Sequence, residues 1–376
     1  MAGVTAPGVI APVRRRNRKI GRRSPSLKIL QREQTTVIVD DRVLTEAFVP
    51  SEVVHRHEEI SRLSEAVEPL LSGGRADPAF LFGPTGVGKT CIARYTLDQL
   101  AERRPSIRVA YVNCWQEYTR FRVLYSLLEA VDQAYDVHRS TAQDELYGRL
   151  RSADEAPIVV ILDEVDQLEE SEVLYDVHRL PHVSVVLVAN REEELFARFD
   201  DRVRSRFRAG TRVTLDRYGV DELVAILAER VRQGLEPESV TDEQLRQIAD
   251  AAAGDARVAI GILRSAATRA QGRGDDRLTD SLLEDAIPDA RNAIRQKTIE
   301  NLPTHQRTLY DVIDEHGEIE PSDLYEAYED RADEPKTRRT VRNYLTKMAH
   351  YDLVEATGEN RGRTYRIVES TIVDTR

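Results

Sequence analysis

The sequence predicts an α/β domain on a parallel sheet, then a small all-helical domain, then three short helices closed by a β-hairpin. Three observations carry this. Short, almost wholly apolar runs alternate with helical stretches between residues 79 and 189. One of those runs leads straight into GPTGVGKT, Gly83 to Thr90. Beyond Arg212 the pattern is helical, until two short runs flank Gly358 to Gly362. A chain of 376 residues is long enough for two or three domains.

Residues 1–32 carry nine basic residues, no acidic ones, and no periodicity among their glycines and prolines. They read as a disordered basic tail suited to nonspecific phosphate contacts. Glu58 to Leu71 has helical spacing (Ile60, Leu63, Val67, Leu70, Leu71) and stops at Ser72-Gly73-Gly74. Ala79 to Phe82, Arg108 to Asn113, Ile158 to Leu162 and Val183 to Ala189 read as strands. Such continuous apolar runs imply a parallel sheet covered on both faces. Val220 to Gln233, Asp242 to Ala253 and Arg257 to Gln271 read as helices, punctuated by Gly254 and Gly272. From about Pro303 come three short helices and the hairpin. The expected boundaries are a tail at 1–32, a nucleotide-binding domain at 33–212, a helical domain at 213–290 and a final domain at 291–376.

Formal net charge is −11, and the part beyond residue 32 is more acidic still, because the tail is purely basic. Only six of the 54 basic residues are lysine. An acidic, lysine-poor surface is the kind found in salt-loving organisms, so overall acidity does not exclude a nucleic-acid partner. Two cysteines, Cys91 and Cys114, are too few for a disulfide framework or a cysteine zinc site. There is no apolar run of membrane-spanning length and no secretory h-region. A cytoplasmic, nucleoid-associated protein with no membrane partner is expected.

GPTGVGKT matches G-x-x-x-x-G-K-[ST] in full, with a strand before it and a helix after. Gly83, Pro84, Thr85, Gly86, Val87 and Gly88 form a loop whose backbone N–H groups turn toward phosphates, helped by the helix N-terminus. Lys89 reaches the β- and γ-phosphates, and Thr90 ligates Mg²⁺. In VVILDEVDQL, Val159 to Leu168, an apolar strand ends in Asp163-Glu164. Asp163 there suits Mg²⁺, and Glu164 suits positioning or deprotonating an attacking water. Asn190, at the tip of the next apolar strand, could hold that water from the other side. Arg202 and Arg257 are candidates for stabilising charge on a transferring phosphoryl group.

This order of motifs resembles the AAA+ ATPases, and within them the archaeal initiators related to the origin recognition complex and cell division control protein 6. FVPSEVVHRHEEI (Phe48 to Ile60), the YVNC segment (Tyr111 to Cys114), TRFRVLYSLLEAV (Thr119 to Val131) and GDARVAIGILRSA (Gly254 to Ala266) carry the resemblance. It implies an α/β AAA+ P-loop ATPase domain with a parallel sheet, a small α-helical lid domain and a C-terminal winged-helix domain. It implies ATP/ADP and Mg²⁺ as ligands, with hydrolysis a slow switch. Asn190 then is sensor 1, Arg257 is the sensor 2 arginine, and Arg202 is the arginine finger entering a neighbour's site. No proline precedes Arg202, and Arg204 and Arg206 remain alternatives. Tyr218 lies near the adenine, Arg56 borders the nucleotide, and Cys91 follows the phosphate loop in the same pocket.

Lys336 to Met348 reads as a recognition helix, with Arg338, Arg339, Arg342 and Lys347 among Val341, Leu345 and Met348. Arg361 and Arg363 sit at the wing tip, in reach of phosphates or the minor groove. The resemblance makes residues 114–150 a DNA-contacting insertion, with Arg120 and Arg122 as its candidates. Aromatic residues make up only 6%, which argues against stacking on single strands. The expected partners are double-stranded origin DNA, the replicative minichromosome-maintenance helicase and other initiator paralogues. Two other functions fit the same motifs: an AAA+ DNA translocase of the branch-migration type, and a non-initiating paralogue that acts as a DNA-binding regulator.

Overall fold

The computed structural model describes residues 37–153, 156–358 and 363–368. The basic tail and Arg361 lie outside that range. The first part runs α1 (His57–Val67), β1 (Ala79–Phe82), α2 (Lys89–Arg103), β2 (Arg108–Asn113), α3 (Arg120–Ala130), α4 (Gln143–Ser152) and β3 (Ile158–Asp163). It continues with α5 (Glu172–Arg179), β4 (Val183–Ala189), α6 (Glu192–Arg198), α7 (Asp201–Phe207) and β5 (Thr211–Thr214). The five strands form one parallel sheet in the order β2-β3-β4-β1-β5.

Every residue of β1, β3 and β4 is buried, because helices cover both faces of the sheet. Alternate residues serve opposite cores. Phe80, Val160 and Leu187 face α3 and α5, while Leu81, Val159 and Val188 face α1 and α2. The register pairs Phe82 with Ala189, and Leu162 with Leu187. The C-terminal ends of β1, β3 and β4 therefore bring Gly83, Asp163 and Asn190 to one edge of the sheet. Because β1 lies between β4 and β5, that edge opens at a topological switch point, where α/β folds form ligand sites.

The sequence reading differs from the fold in two places here. The pattern reads as purely helical after Arg212, but Thr211–Thr214 is the edge strand β5. Only Val213 in it is buried, so it lacks the apolar run that marks the other strands. The helix expected to reach Leu71 ends as α-helix at Val67, and Glu68–Ser72 is a 3₁₀ turn. Pro69, at the start of that turn, cannot donate the next α-helical bond.

The helical part comprises α8 (Val220–Gly234), α9 (Asp242–Ala252), α10 (Ala256–Arg273) and α11 (Asp280–Glu300). Val37 and Leu44, from the start of the described chain, pack into its core. Helix α11 runs unbroken through position 290. The last part is α12 (Thr304–His316), β6 (Glu318–Ile319), α13 (Pro321–Arg331), α14 (Arg338–His350), β7 (Val354–Thr357) and β8 (Thr364–Ile367). Its antiparallel sheet has the order β6-β8-β7. Two-residue β6 is too short to show in the sequence pattern. Three helices with this small sheet make a winged helix, and α14 holds the recognition-helix position.

Candidate functional site

The phosphate loop depends on glycine at several points, two of them against the main chain and side chain that follow β5. At Gly83 (φ +150°) an added Cβ would lie 2.3 Å from the Leu215 carbonyl, and at Gly88 (φ +89°) 2.7 Å from the Tyr218 hydroxyl. Helix α2 begins at Lys89, and among the described residues no side chain caps its N-terminus, which leaves that positive end to the cavity. Lys89 Nζ donates to the carbonyls of Gly83 and Pro84, both at 2.7 Å, and to Asn190 Oδ1 at 3.1 Å. Burial pulls its pKa down to about 8, against the pull of the Asp163 and Glu164 carboxylates.

Asp163 is the hub of the opposite wall. Its Oδ2 accepts from Thr90 Oγ1 at 2.7 Å and from the Tyr111 hydroxyl at 3.0 Å, and its Oδ1 accepts from the Glu164 N–H at 3.0 Å. Burial, with Asp163 beside it, raises the Tyr111 pKa, so the phenol stays a donor. Sequence reasoning misses Tyr111 as a site residue; its one signal there is its place in the YVNC strand. Glu164 has φ +53°, a left-handed conformation that costs a non-glycine residue roughly 1–2 kcal/mol. That turn points the carboxyl back into the site, where burial and the neighbouring Asp163 raise its pKa. Burial lowers the pKa of the Lys347 ammonium, and the negative charge of Glu164 opposes that shift.

The helical part closes the cavity from above. Asp255 caps α10, accepting from the N–H groups of Arg257 at 2.8 Å and Val258 at 3.2 Å. This cap, worth about 1 kcal/mol, fixes Arg257 in the first turn, over the phosphate loop. Arg257 Nε is buried, with no hydrogen-bond partner among the described residues. Tyr218 lines the cavity, as does Cys91. Arg56, expected to border the nucleotide, does not line it. Its guanidinium lies 4.1 Å from the Tyr218 ring centroid and donates to Glu59 Oε1 at 3.0 Å and the Asp216 carbonyl at 2.6 Å. It supports the tyrosine from behind. The cavity holds about 460 Å³, with Val53, Ile226 and Ile260 on its apolar side. That is the size and make-up of a small-ligand site.

Three arginines of α7 are candidates for a neighbour's site, and their surroundings separate them. Arg204 donates to the carbonyls of Phe196 (3.1 Å) and Phe199 (2.9 Å). Arg206 lies over the Tyr175 ring at 4.5 Å. Arg202 is exposed, away from this chain's own cavity.

Among the nucleic-acid candidates, Arg122, Arg338, Arg339, Arg342 and Arg363 are exposed, and Arg338 rests 4.7 Å over the Tyr325 ring. Arg120 is not presented for a phosphate. It is only 19% exposed and is bound to Asp176 at 2.8 Å, Gln143 at 2.9 Å and Asp144 at 3.6 Å. Lys347 also leaves the basic face of α14, since it is buried against the ATPase side. No helix among the described residues is long and apolar enough to cross a membrane.

A parallel sheet with this loop, a helical lid and a winged helix define an AAA+ ATPase fold. The AAA domain profile matches residues 74–199, and the Cdc6 AAA+ ATPase-type lid domain profile matches residues 224–288. An ORC1-type DNA replication protein 9 of Halobacterium salinarum is 48% identical over 336 residues, covering 89% of this chain and 95% of that one. An ORC1-type DNA replication protein 1 of the same organism is 48% identical over 308 residues, covering 82% and 100%. A solved structure of the Aeropyrum pernix ORC1 protein in complex with DNA superposes with a TM-score of 0.69 at 25% identity, covering 89% of this chain and 94% of that one. The chain belongs to the ORC1-type family of DNA replication proteins, the Orc1/Cdc6 AAA+ initiators.

Proposed function

We propose that this chain is an ATP-regulated replication initiator that binds duplex origin DNA and recruits or loads the replicative minichromosome-maintenance helicase. The observation that carries the nucleotide reading is the pair of hydrogen bonds, Thr90–Asp163 and Lys89–Asn190, on the lining of one cavity. Lys89 and the loop would hold the phosphates, with the unpartnered Nε of Arg257 above them. The adenine would meet Tyr218 and the apolar side of the cavity. Thr90 and Asp163, already adjacent, fit Mg²⁺, which when bound neutralises phosphate charge. Glu164 would take the proton of an attacking water, and Asn190 would help place that water. Of the three arginines of α7, Arg202 has no side-chain partner among the described residues and would be the one to enter a neighbouring molecule.

The exposed arginines of α14 and Arg363 of the wing support duplex binding, as does the relative solved in complex with DNA. Slow hydrolysis would switch the DNA-binding state rather than drive movement. The test is selection of sheared genomic DNA in molar potassium chloride, with ATP and separately with ADP. A few sharp peaks sharing short repeated elements are expected. Flat, salt-sensitive recovery, with turnover stimulated by any duplex, would replace the initiator with a translocase. Sharp peaks remote from any replication start would make the chain a regulator.

A further inference from the structure

Residues 37–54 form a strap that is tied first to the helical part and then to the ATPase part. Its start is held at the end of α8. The Val39 N–H donates to the Gly234 carbonyl at 2.9 Å, and the Glu236 N–H to the Val37 carbonyl at 2.9 Å. Gly234 permits that approach, because a Cβ there would lie 3.1 Å from Val43 Cβ and 3.2 Å from the Asp40 carbonyl. One turn earlier in α8, Arg230 reaches the strap while only 6% exposed. Its Nη1 donates to the Val43 carbonyl at 2.6 Å and its Nη2 to the Phe48 carbonyl at 3.2 Å. The same guanidinium lies 4.7 Å from the centre of the Phe48 ring. Among the described residues no carboxylate pairs with it, so the strap's carbonyls and ring are what offset the burial of its charge. Val53, further along, belongs to the core of the ATPase part with Leu63 and Leu81. Between these two anchorages Ala47, Phe48 and Pro50 line the nucleotide cavity.

We propose that Arg230 is a positioning residue for the base of the nucleotide: it fastens the strap to α8, so that this wall of the cavity belongs to the lid and opens with it. The proposal rests on the reading of the cavity as an ATP site with the adenine on its apolar side. Arg230 acts through Ala47, Phe48 and Pro50. The phosphates are held elsewhere, by Lys89 and the loop that it braces. One nucleotide is thus gripped at its two ends by different parts of the fold, and only the base end depends on the strap. A guanidinium suits this post. It is planar, reaches two carbonyls at once and lays its face on an aromatic ring, which an ammonium cannot do together. With the strap released from α8, a nucleotide must order it again on binding. That lowers affinity and shows mainly as faster release.

The experiment measures, on the full-length protein, the Kd of ATP, of ADP and of inorganic tripolyphosphate, which has phosphates and no base, together with the rate of ADP release. Arg230→Met is expected to bind ATP and ADP about tenfold more weakly, through faster release, and tripolyphosphate as the parent does. Arg230→Lys should recover part of the loss. Gly234→Val pushes the strap off α8 from outside the cavity. It should weaken ATP and ADP but not tripolyphosphate, and it decides the matter if Arg230→Met folds poorly by circular dichroism. Parent-like ATP and ADP affinity in the folded variant overturns the proposal. So does an equal loss for all three ligands, which would make Arg230 a phosphate ligand or a general support of the fold. Lys89→Ala separates the two layers. If it binds ATP as the parent does, the nucleotide reading fails and the strap's role falls with it. If it loses ATP while Arg230→Met and Gly234→Val keep it, only the strap's role fails.

Discussion

The main-chain N–H of Ala256 donates to the carbonyl of Gly86 at 2.9 Å. The first turn of the lid helix therefore rests on the phosphate loop itself, and the two form one support for a nucleotide. Gly86 has φ +76°, and a Cβ there would lie 1.9 Å from Asp255 Oδ1. Glycine at this position serves the lid as much as the phosphates.

Gly86→Ala should consequently displace Asp255, open the lid and weaken ATP at least about tenfold, as removal of a capped, preorganised support would. Lys89→Ala should abolish nucleotide retention. Calorimetric titration with ATP checks both, and a Lys89→Ala protein that holds nucleotide like the parent sinks the phosphate-loop assignment.

Arg202→Ala should leave ATP affinity intact, because the side chain lies away from its own cavity. If Arg202 acts on a neighbour, turnover per molecule in the parent rises with protein concentration. In the variant it stays flat. Equal concentration dependence in the two proteins returns the role to Arg204 or Arg206.

Arg363→Ala and Arg342→Ala should each weaken duplex binding and reduce its salt slope by roughly one unit for every phosphate no longer neutralised. Arg120→Ala should leave that slope alone and lower thermal stability instead, because it strips Asp176 of a half-buried partner. A reduced slope for Arg120→Ala would show that its ion pairs open to receive DNA.

Acid should loosen two places at once. Burial keeps His178 below its ordinary pKa, with the Arg75 guanidinium donating to its Nδ1 at 3.1 Å. Burial also lowers His305, whose Nδ1 lies 2.8 Å from the Tyr328 hydroxyl. A histidine with a depressed folded pKa stabilises fully above its unfolded value of about 6.5, and that contribution fades as pH falls through the folded pKa. Tm should therefore drop by a few degrees between about pH 7.5 and pH 5.5, and His178→Asn should drop less. An identical pH profile in parent and variant would remove His178 from the account.

How much of this is legible in the sequence depends on whether a residue's environment is encoded near it. β1, β3 and β4 are readable because both faces are buried, which leaves an uninterrupted apolar run. β5 is not, because an edge strand with only Val213 buried looks like any loop. Lys89, Thr90 and Asp163 follow from motifs whose spacing the chemistry dictates. Arg56 and Arg120 lie in the segments where arginines are expected, but their partners, Tyr218 and Asp176, come from distant segments. The packing of Trp115 into the winged helix leaves no periodic trace, since a residue in a loop after a strand carries no pattern of its own.

The scarcity of lysine has a practical consequence. Outside the basic tail the chain has four, and each sits where parts of the fold meet. Lys89 bridges the tips of β1 and β4. Lys297 joins α11 to Glu46 at 3.1 Å. Lys336, just ahead of α14, and Lys347 within it join the winged helix to the ATPase part. In most proteins, amine acylation scatters over the surface. Here its pattern reports on junctions. Shielding at position 89 follows the occupant of the phosphate loop, and shielding at 336 and 347 follows the seat of the winged helix, so a single mass spectrum records both states of the molecule.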